Sequence, residues 1–351
     1  MEFFMFVLFC YAIWSIFWKK EDFSQFEKEK QKDKGEVEYE YLEDAIKNNP
    51  RTTYRPEELD EYIGQEKAKS LLKQYILGTS KRGKVFPHTL IYGAPGTGKT
   101  TLAQIIAKEL NQFFINKIST EMNNSEIMLE AIEKADGGVL FLDEIHSIDR
   151  TTAESIYTVM EDFHFNGIPV KPFTLIGATT EIGEIIQNRK PFYDRFKILL
   201  ELEHYNLKEL EVIIKNYLYQ SFPEEQFHFS KIKQIARNCR LTPRIGIKLS
   251  EAMVYYDGNL KEVLKNFNIV KDGYTLSDYK VLDYLDKHKK IGLQALCSYL
   301  QTSPKNYLYN IEPYLLTNET IIRAGSGRQI TSKGKILTSS LKKGLVNVTS
   351  K

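Results

Sequence analysis

The sequence predicts a doubly wound parallel α/β sheet, followed by a small helical lid domain and a C-terminal winged helix. Three observations point to this. After Pro50, apolar strand-like runs alternate with amphipathic helices, the pattern of a sheet covered by helices. From about Tyr205 to Lys271 the pattern is helical, as in NLKELEVIIKNYLYQ, with no strand expected. Beyond Asp272, helical stretches such as SDYKVLDYLDKH precede a glycine-rich turn set between the β-prone runs TII and QIT, the order of a winged module.

At 351 residues the chain is too long for one ordinary core and suits two or three domains. A hydrophobic content of 42% beside 27% charged residues describes a folded protein and excludes wholesale disorder. The boundaries read as 51–204 for the sheet domain, 205–271 for the lid and 272–351 for the winged helix. Within the first, strands are expected at His88 to Tyr92, Gly138 to Leu142 and Phe173 to Ala178. Helices are expected from Lys99 to Leu110 and around Thr152 to Asp162. Cys10, Cys239 and Cys297 lie far apart, which fits neither a disulfide framework nor a zinc site and suits a reducing compartment.

The N-terminal segments have a different texture. Phe3 to Trp18 carries no charge, and Lys19 and Lys20 follow at once. As a helix this run rises about 24 Å, slightly less than a hydrocarbon core of about 30 Å. Residues 1–20 therefore read as a short transmembrane anchor, with the cytoplasmic body at the inner face of the membrane; a helix docked on a core or a partner would show the same pattern. Residues 19–50 hold 17 charged positions in 32, so 21–50 reads as a charged linker that cannot bury enough apolar surface to fold alone.

The run Gly93-Ala94-Pro95-Gly96-Thr97-Gly98-Lys99-Thr100 lies between an apolar strand and an amphipathic helix, the setting in which G-x-x-x-x-G-K-T holds the phosphates of ATP with Mg2+. Gly96 and Gly98 admit backbone N–H groups to phosphate oxygens, Lys99 reaches the β- and γ-phosphates, and the Thr100 hydroxyl ligates Mg2+. Further on, Gly138 to Glu144 reads as a buried strand ending in two acids. A strand tip in such a sheet faces the nucleotide crevice, so Asp143 suits holding Mg2+ through water and Glu144 suits polarising the attacking water. Two acids at a strand end are weak evidence alone, but with the phosphate loop they predict an ATP hydrolase. Near the C-terminus, residues 289–351 carry ten Lys or Arg against Glu312 and Glu319 only, an excess that suits a polyanion or simply a solvated surface.

These residues resemble the AAA+ ATPases, and within them the RuvB branch-migration motors of bacterial Holliday-junction processing. The resemblance runs from about Arg51 to the region of Leu337. It is carried by Tyr54-Arg55-Pro56, Leu59 to Glu66, GAPGTGKTTLA, VLFLDEIH, MEDF, PFTLIGATT, DRF, LTPRI, EPYLL and RAGSGR. It implies that Tyr54, Arg55 and Ile63 line an adenine pocket and that Thr101, Glu161, Asp162, Phe163 and Tyr205 are further nucleotide neighbours. It also implies that Thr180 is the sensor that orients the catalytic water, and that Arg244 is a second sensor carrying γ-phosphate occupancy into lid movement. Arg195 would be an arginine finger donated across a subunit interface, which requires an oligomer, and the family implies a hexameric ring. Arg323 and Arg328 fall where such wings contact double-stranded or junction DNA, with Lys305 nearby, through phosphates rather than bases.

The chain departs from the family pattern in three places. Only Phe163 to Lys171 separates Asp162 from Pro172, where the family carries a longer hairpin that engages the junction-binding partner RuvA, so a RuvA-like partner is left open. Tyr193 stands where the family has an arginine two positions before the finger, and Pro304 where it has a third DNA-contacting arginine. The function implied is an ATP-driven DNA helicase that translocates duplex DNA and drives branch migration in recombination and repair. The apolar N-terminal run keeps open a second reading, a membrane-tethered ATPase switch or scaffold acting on a protein partner.

Overall fold

The apolar runs after Pro50 become strands of one parallel sheet, each buried on both faces. The computed structural model describes residues 54–349 apart from 166 and 326. The anchor expected at 1–20 and the linker at 21–50 lie outside the described residues; among the described residues no helix is long and apolar enough to cross a membrane.

The first part runs α1 (Glu66–Arg82), β1 (Thr89–Gly93), α2 (Lys99–Glu109), β2 (Phe114–Ile118), α3 (Ser125–Lys134), β3 (Val139–Asp143) and α4 (Arg150–Asp162). A hairpin of β4 (His164–Phe165) and β5 (Ile168–Pro169) follows, then β6 (Thr174–Thr179), α5 (Ile182–Asn188), α6 (Lys190–Tyr193) and β7 (Ile198–Leu202). The five long strands pair in the order β2-β3-β6-β1-β7, all parallel. The three expected strands are present, each beginning and ending one residue later than read. The edge strands β2 and β7 were not anticipated. Both alternate exposed with more buried positions, as edge positions do, and lack the continuous apolar run that marks the central strands.

Alternate residues of the central strands serve two cores. Ile91, Phe141 and Ile176 pack with Leu72 and Ile76 of α1 and Leu102 and Ile106 of α2. Their neighbours Leu90, Leu140 and Leu175 pack with Met128 and Ile132 of α3 and Ile156 and Val159 of α4. Both faces of the sheet are thus covered, and the loops at the C-terminal strand ends remain available for a ligand.

The lid comprises α7 (Leu207–Ser221), α8 (Phe229–Asn238), α9 (Pro243–Tyr255) and α10 (Leu260–Asn266). Helix α7 starts sharply because Asn206 and Glu209 form a reciprocal capping box. The expectation of no strand up to Lys271 is corrected: β8 (Ile269–Lys271) pairs with β9 (Tyr274–Thr275) in a hairpin whose turn, Asp272 and Gly273, has positive φ. A three-residue strand is too short to show alternation in sequence.

The last part is α11 (Leu276–His288), β10 (Ile291–Gly292), α12 (Leu293–Leu300) and α13 (Pro304–Asn306). A π-helical turn (Tyr307–Ile311) leads into α14 (Glu312–Thr317), and the chain continues through β11 (Ile321–Ala324), β12 (Gly327–Ile330) and α15 (Ser332–Thr349). The expected wing is the β11–β12 hairpin, with β10 added beside β12. Val281, Leu285, Leu296, Tyr307, Leu315 and Leu341 form the core of this part.

Candidate nucleotide-binding site

Strand β1 delivers the chain into the phosphate loop, and α2 leads out of it. Gly98 is the N-cap of α2, and no side chain caps the helix, so its first N–H groups are not spent on a local acceptor. Gly96 (φ 76°) and Gly98 (φ 99°) lie in the left-handed region, and a Cβ on either would collide with a neighbour. On Gly98 it would lie 2.5 Å from the Tyr62 hydroxyl, and on Gly96 2.8 Å from Thr242 and 3.0 Å from the Cβ of Arg244. The glycines thus admit both the bound anion and the lid.

Lys99 is only 7% exposed, and its ammonium donates to the carbonyls of Gly93 (2.9 Å) and Ala94 (3.1 Å). Burial pushes its pKa below the ordinary lysine value, against the opposing pull of Glu144 and Asp143. A cation satisfied only by carbonyls at the mouth of a glycine loop fits phosphate oxygens, which would replace those contacts with charge-assisted ones. Thr100 and Thr101 follow in the first turn of α2, both half-buried.

Asp143 and Glu144 emerge at the tip of β3, where Asp143 Oδ1 accepts the Glu144 N–H (3.0 Å). Glu144 has φ 49°, a conformation costly for a residue with a Cβ and typical of strained functional positions. Thr180, just beyond the end of β6, donates its hydroxyl to Glu144 Oε2 (3.2 Å). The acid and the expected sensor, far apart in sequence, are therefore joined directly. His146 adds Nδ1 at 3.3 Å from the same Glu144 oxygen and 3.0 Å from Thr179 Oγ1, a contact the sequence did not single out.

The lid is coupled to the loop from behind. The hydroxyls of Tyr62 and Tyr205 both donate to the carbonyl of Thr97 (3.2 and 3.0 Å), and they contact each other at 3.3 Å. Burial raises both phenol pKa values, so both stay protonated as donors. Tyr205 was expected beside the nucleotide; here it braces the backbone that would hold it. Tyr62 was missed, although a buried tyrosine inside a matching string was the available signal. Tyr54 packs against the lid core and donates its N–H to Ser221 Oγ (3.2 Å). Arg55 points Nη1 at Gln104 Oε1 (3.5 Å), and Ile63 is half-buried nearby in sequence. Arg244, in the first turn of α9, stands over Gly96 and depresses the Lys99 pKa by its charge.

Glu161, Asp162 and Phe163 end α4 away from the phosphate loop of their own chain. His88, which precedes β1, accepts the Leu175 N–H at Nδ1 (2.8 Å) and bonds the Met160 carbonyl through Nε2 (3.0 Å). The end of α4 therefore sits at the N-terminal end of β1, about 17 Å of strand from the phosphate loop. Phe163 packs its ring against His88 and Phe173, and Glu161 pairs with Arg195 (3.2 Å). Arg195 lies at the same end, its guanidinium over the Tyr157 ring and bonded to the Pro191 carbonyl (3.0 Å).

The wing needs a correction. Arg323 and Arg328 are cross-strand partners on β11 and β12, and both reach Glu312 of α14. Arg328 binds it through Nε (2.7 Å) and Nη2 (3.3 Å) and is only 9% exposed. Arg323 binds it through Nη2 (2.7 Å) with its side chain 57% exposed. Arg328, expected to meet DNA, is instead a buried ion-pair partner, whereas Arg323 is more than half exposed and Lys305 of α13 is exposed. Burial pushes the Glu312 carboxyl up, but its hydrogen bonds to Arg328 and Arg323 outweigh that and hold its pKa below the ordinary value. The β4–β5 hairpin has strands of two residues each, with Ile168 exposed at its tip.

The profile of the Holliday junction DNA helicase RuvB P-loop domain matches residues 54–202, and that of the RuvB C-terminal winged helix domain matches 271–338. The chain is 35% identical over 305 residues to the Holliday junction branch migration complex subunit RuvB of Phytoplasma mali, covering 79% of this chain and 90% of that protein. It is 36% identical over 324 residues to the same subunit of Mycoplasmopsis synoviae, covering 83% and 98%. In structure it is similar to the Thermotoga maritima RuvB Holliday junction branch migration motor, with a TM-score of 0.70 and 33% identity over 80% of this chain and 96% of that one.

Proposed function

The chain belongs to the RuvB family and is by that membership a branch-migration ATPase, and we propose that it hydrolyses ATP with Mg2+ as a ring of identical subunits acting on junction DNA. The observation that carries this reading is the Thr180–Glu144 contact at 3.2 Å, at the sheet end where Lys99 is held in its loop. Glu144 takes the proton of the attacking water, and Thr180 holds its carboxylate in orientation. Lys99 and Arg244 bind the β- and γ-phosphates from the two sides of the loop, one from the sheet domain and one from the lid. Thr100 and Asp143 supply the oxygen donors that suit Mg2+, which when bound neutralises phosphate charge. Tyr54, Arg55 and Ile63 fit the adenine side, with Thr101 next to the loop.

Arg195 and Glu161 lie too far from the phosphate loop of their own chain to serve it, so in this reading they serve the nucleotide of a neighbouring copy. Arg323 and Lys305 contact DNA phosphates. The short β4–β5 hairpin offers a RuvA-like protein little to grip, which favours a motor less dependent on such a partner. The uncharged run from Phe3 to Trp18 supports attachment to the inner face of the cell membrane; fractionation of tagged full chain beside a chain lacking residues 1–50 tests that, and identical soluble behaviour sinks it.

The deciding experiment measures ATP turnover with junction, duplex and single-stranded DNA, with Glu144→Gln as the control. Stimulation by junction or duplex is the expected result. A chain that binds no DNA even at low salt overturns the motor reading.

A further inference from the structure

Glu181 follows the sensor Thr180 directly, and a residue from the other end of the chain reaches it. The hydroxyl of Tyr309, in the π-helical turn of the winged helix, donates to Glu181 Oε1 at 3.2 Å. A π turn inside a helix is uncommon and is found often at functional positions. The same helical segment carries Lys305 four residues earlier and Glu312, which holds both wing arginines, three residues later.

On the other side of Glu181 stands His146. Its Nε2 is 4.0 Å from Glu181 Oε1, too long for a hydrogen bond, while its Nδ1 faces Glu144 Oε2 at 3.3 Å and Thr179 Oγ1 at 3.0 Å. Glu184 brings a second carboxylate into this group, whose ligand atoms lie within 4.8 Å of one another. Arg189 donates to the His146 carbonyl, and the Glu181 N–H donates to Thr179 Oγ1 (2.9 Å). The hydrogen-bond partner of His146 Nδ1 is thus Thr179 Oγ1, the atom that also accepts the Glu181 N–H.

We propose that Tyr309 is a positioning residue through which the winged helix sets the orientation of Glu144, so that DNA on the wing is read at the ATPase site of the same subunit. Tyr309 holds Glu181, whose N–H binds Thr179 Oγ1 and whose backbone follows Thr180 directly, so the contact bears on the hydroxyl that holds Glu144. When the winged helix shifts under DNA and Tyr309 lets go, the Thr179–Glu181 turn is released, and Glu144 is freed to meet the water. The Tyr309–Glu181 contact, made or broken, is the two-state element, and each end of the path biases it.

This inference rests on the motor reading. The test measures ATP turnover with and without duplex DNA, and DNA affinity, for the full chain and for Tyr309→Phe, Glu181→Gln and the double variant. Tyr309→Phe mimics the released state, so it is expected to raise turnover without DNA about fivefold, the factor carried by one ordinary hydrogen bond, and to lower the stimulation ratio by the same factor, through kcat rather than KM and with DNA affinity unchanged. Glu181→Gln should do the same, and the double variant should lose no more than either. Full stimulation in Tyr309→Phe, additive losses in the double variant, or a loss that follows DNA affinity each overturn the path. A native chain that no DNA stimulates overturns the motor reading itself, whereas a stimulated native chain with an equally stimulated Tyr309→Phe overturns only the path.

Discussion

At the scale of single residues the proposed chemistry falls on Glu144, and its strained φ and its two neighbours show how narrowly it is placed. Glu144→Gln keeps the shape but cannot take a proton, so it should bind ATP and lose turnover by about 10²–10⁴-fold. Retained turnover, read by phosphate release, would falsify the assignment. Glu312 makes the opposite kind of case, a charge kept for structure. Glu312→Gln leaves Arg328 buried with its counter-charge gone, which costs about 3–5 kcal/mol of stability. Because the carboxyl pKa is held below its ordinary 4.5 in the folded state, that stabilisation is fully present above about pH 4.5 and is lost as pH falls through the folded value. Denaturation midpoints of native chain and variant should therefore converge in acid; a gap that persists there counts against the ion pair.

Among the elements, the junction of β1, β6 and α4 depends on one imidazole. His88 accepts from Leu175 N–H at Nδ1, so its Nε2 carries the proton donated to Met160, and a second proton would set two N–H groups against each other. Burial lowers its pKa from 6.5 to about 4. Between those values the unfolded chain binds a proton that the folded chain does not, so stability is constant above about pH 6.5 and falls toward pH 4, by about 3 kcal/mol. His88→Gln, which keeps a donor for Met160, should lose less stability than the native chain over that range. Equal pH slopes in chemical denaturation would remove His88 from the account.

Across the whole molecule, the phosphate loop and Arg195 lie at opposite ends of the sheet, so in the proposed ring Arg195 serves a neighbouring copy and not its own loop. Arg195→Ala should bind ATP yet turn over about 10³–10⁵-fold more slowly. Mixed with Glu144→Gln, which keeps its finger but lacks the acid, it should recover part of the activity, because some interfaces then pair a sound acid with a sound finger. No recovery on mixing, with both proteins assembled, would place Arg195 in its own subunit's structure instead.

The phosphate loop and the acid pair were legible in the sequence because each is local: a glycine turn with a lysine and threonine at a helix start, and two adjacent acids at a strand tip. The central strands were legible for the same reason, since burial on both faces leaves an unbroken apolar run. The edge strands β2 and β7 were not, because half-exposure dilutes that signal. Long-range pairings decided the rest. Tyr62 and Tyr205 meet on one carbonyl of the loop, and the end of α4 lies away from that loop and beside Arg195. Arg328 looked like a DNA contact by its place on a glycine wing, and only the approach of Glu312 from another helix shows it to be buried. A sequence specifies which charges a chain carries, but whether a charge meets water, a ligand or a counter-ion depends on which distant segment packs over it.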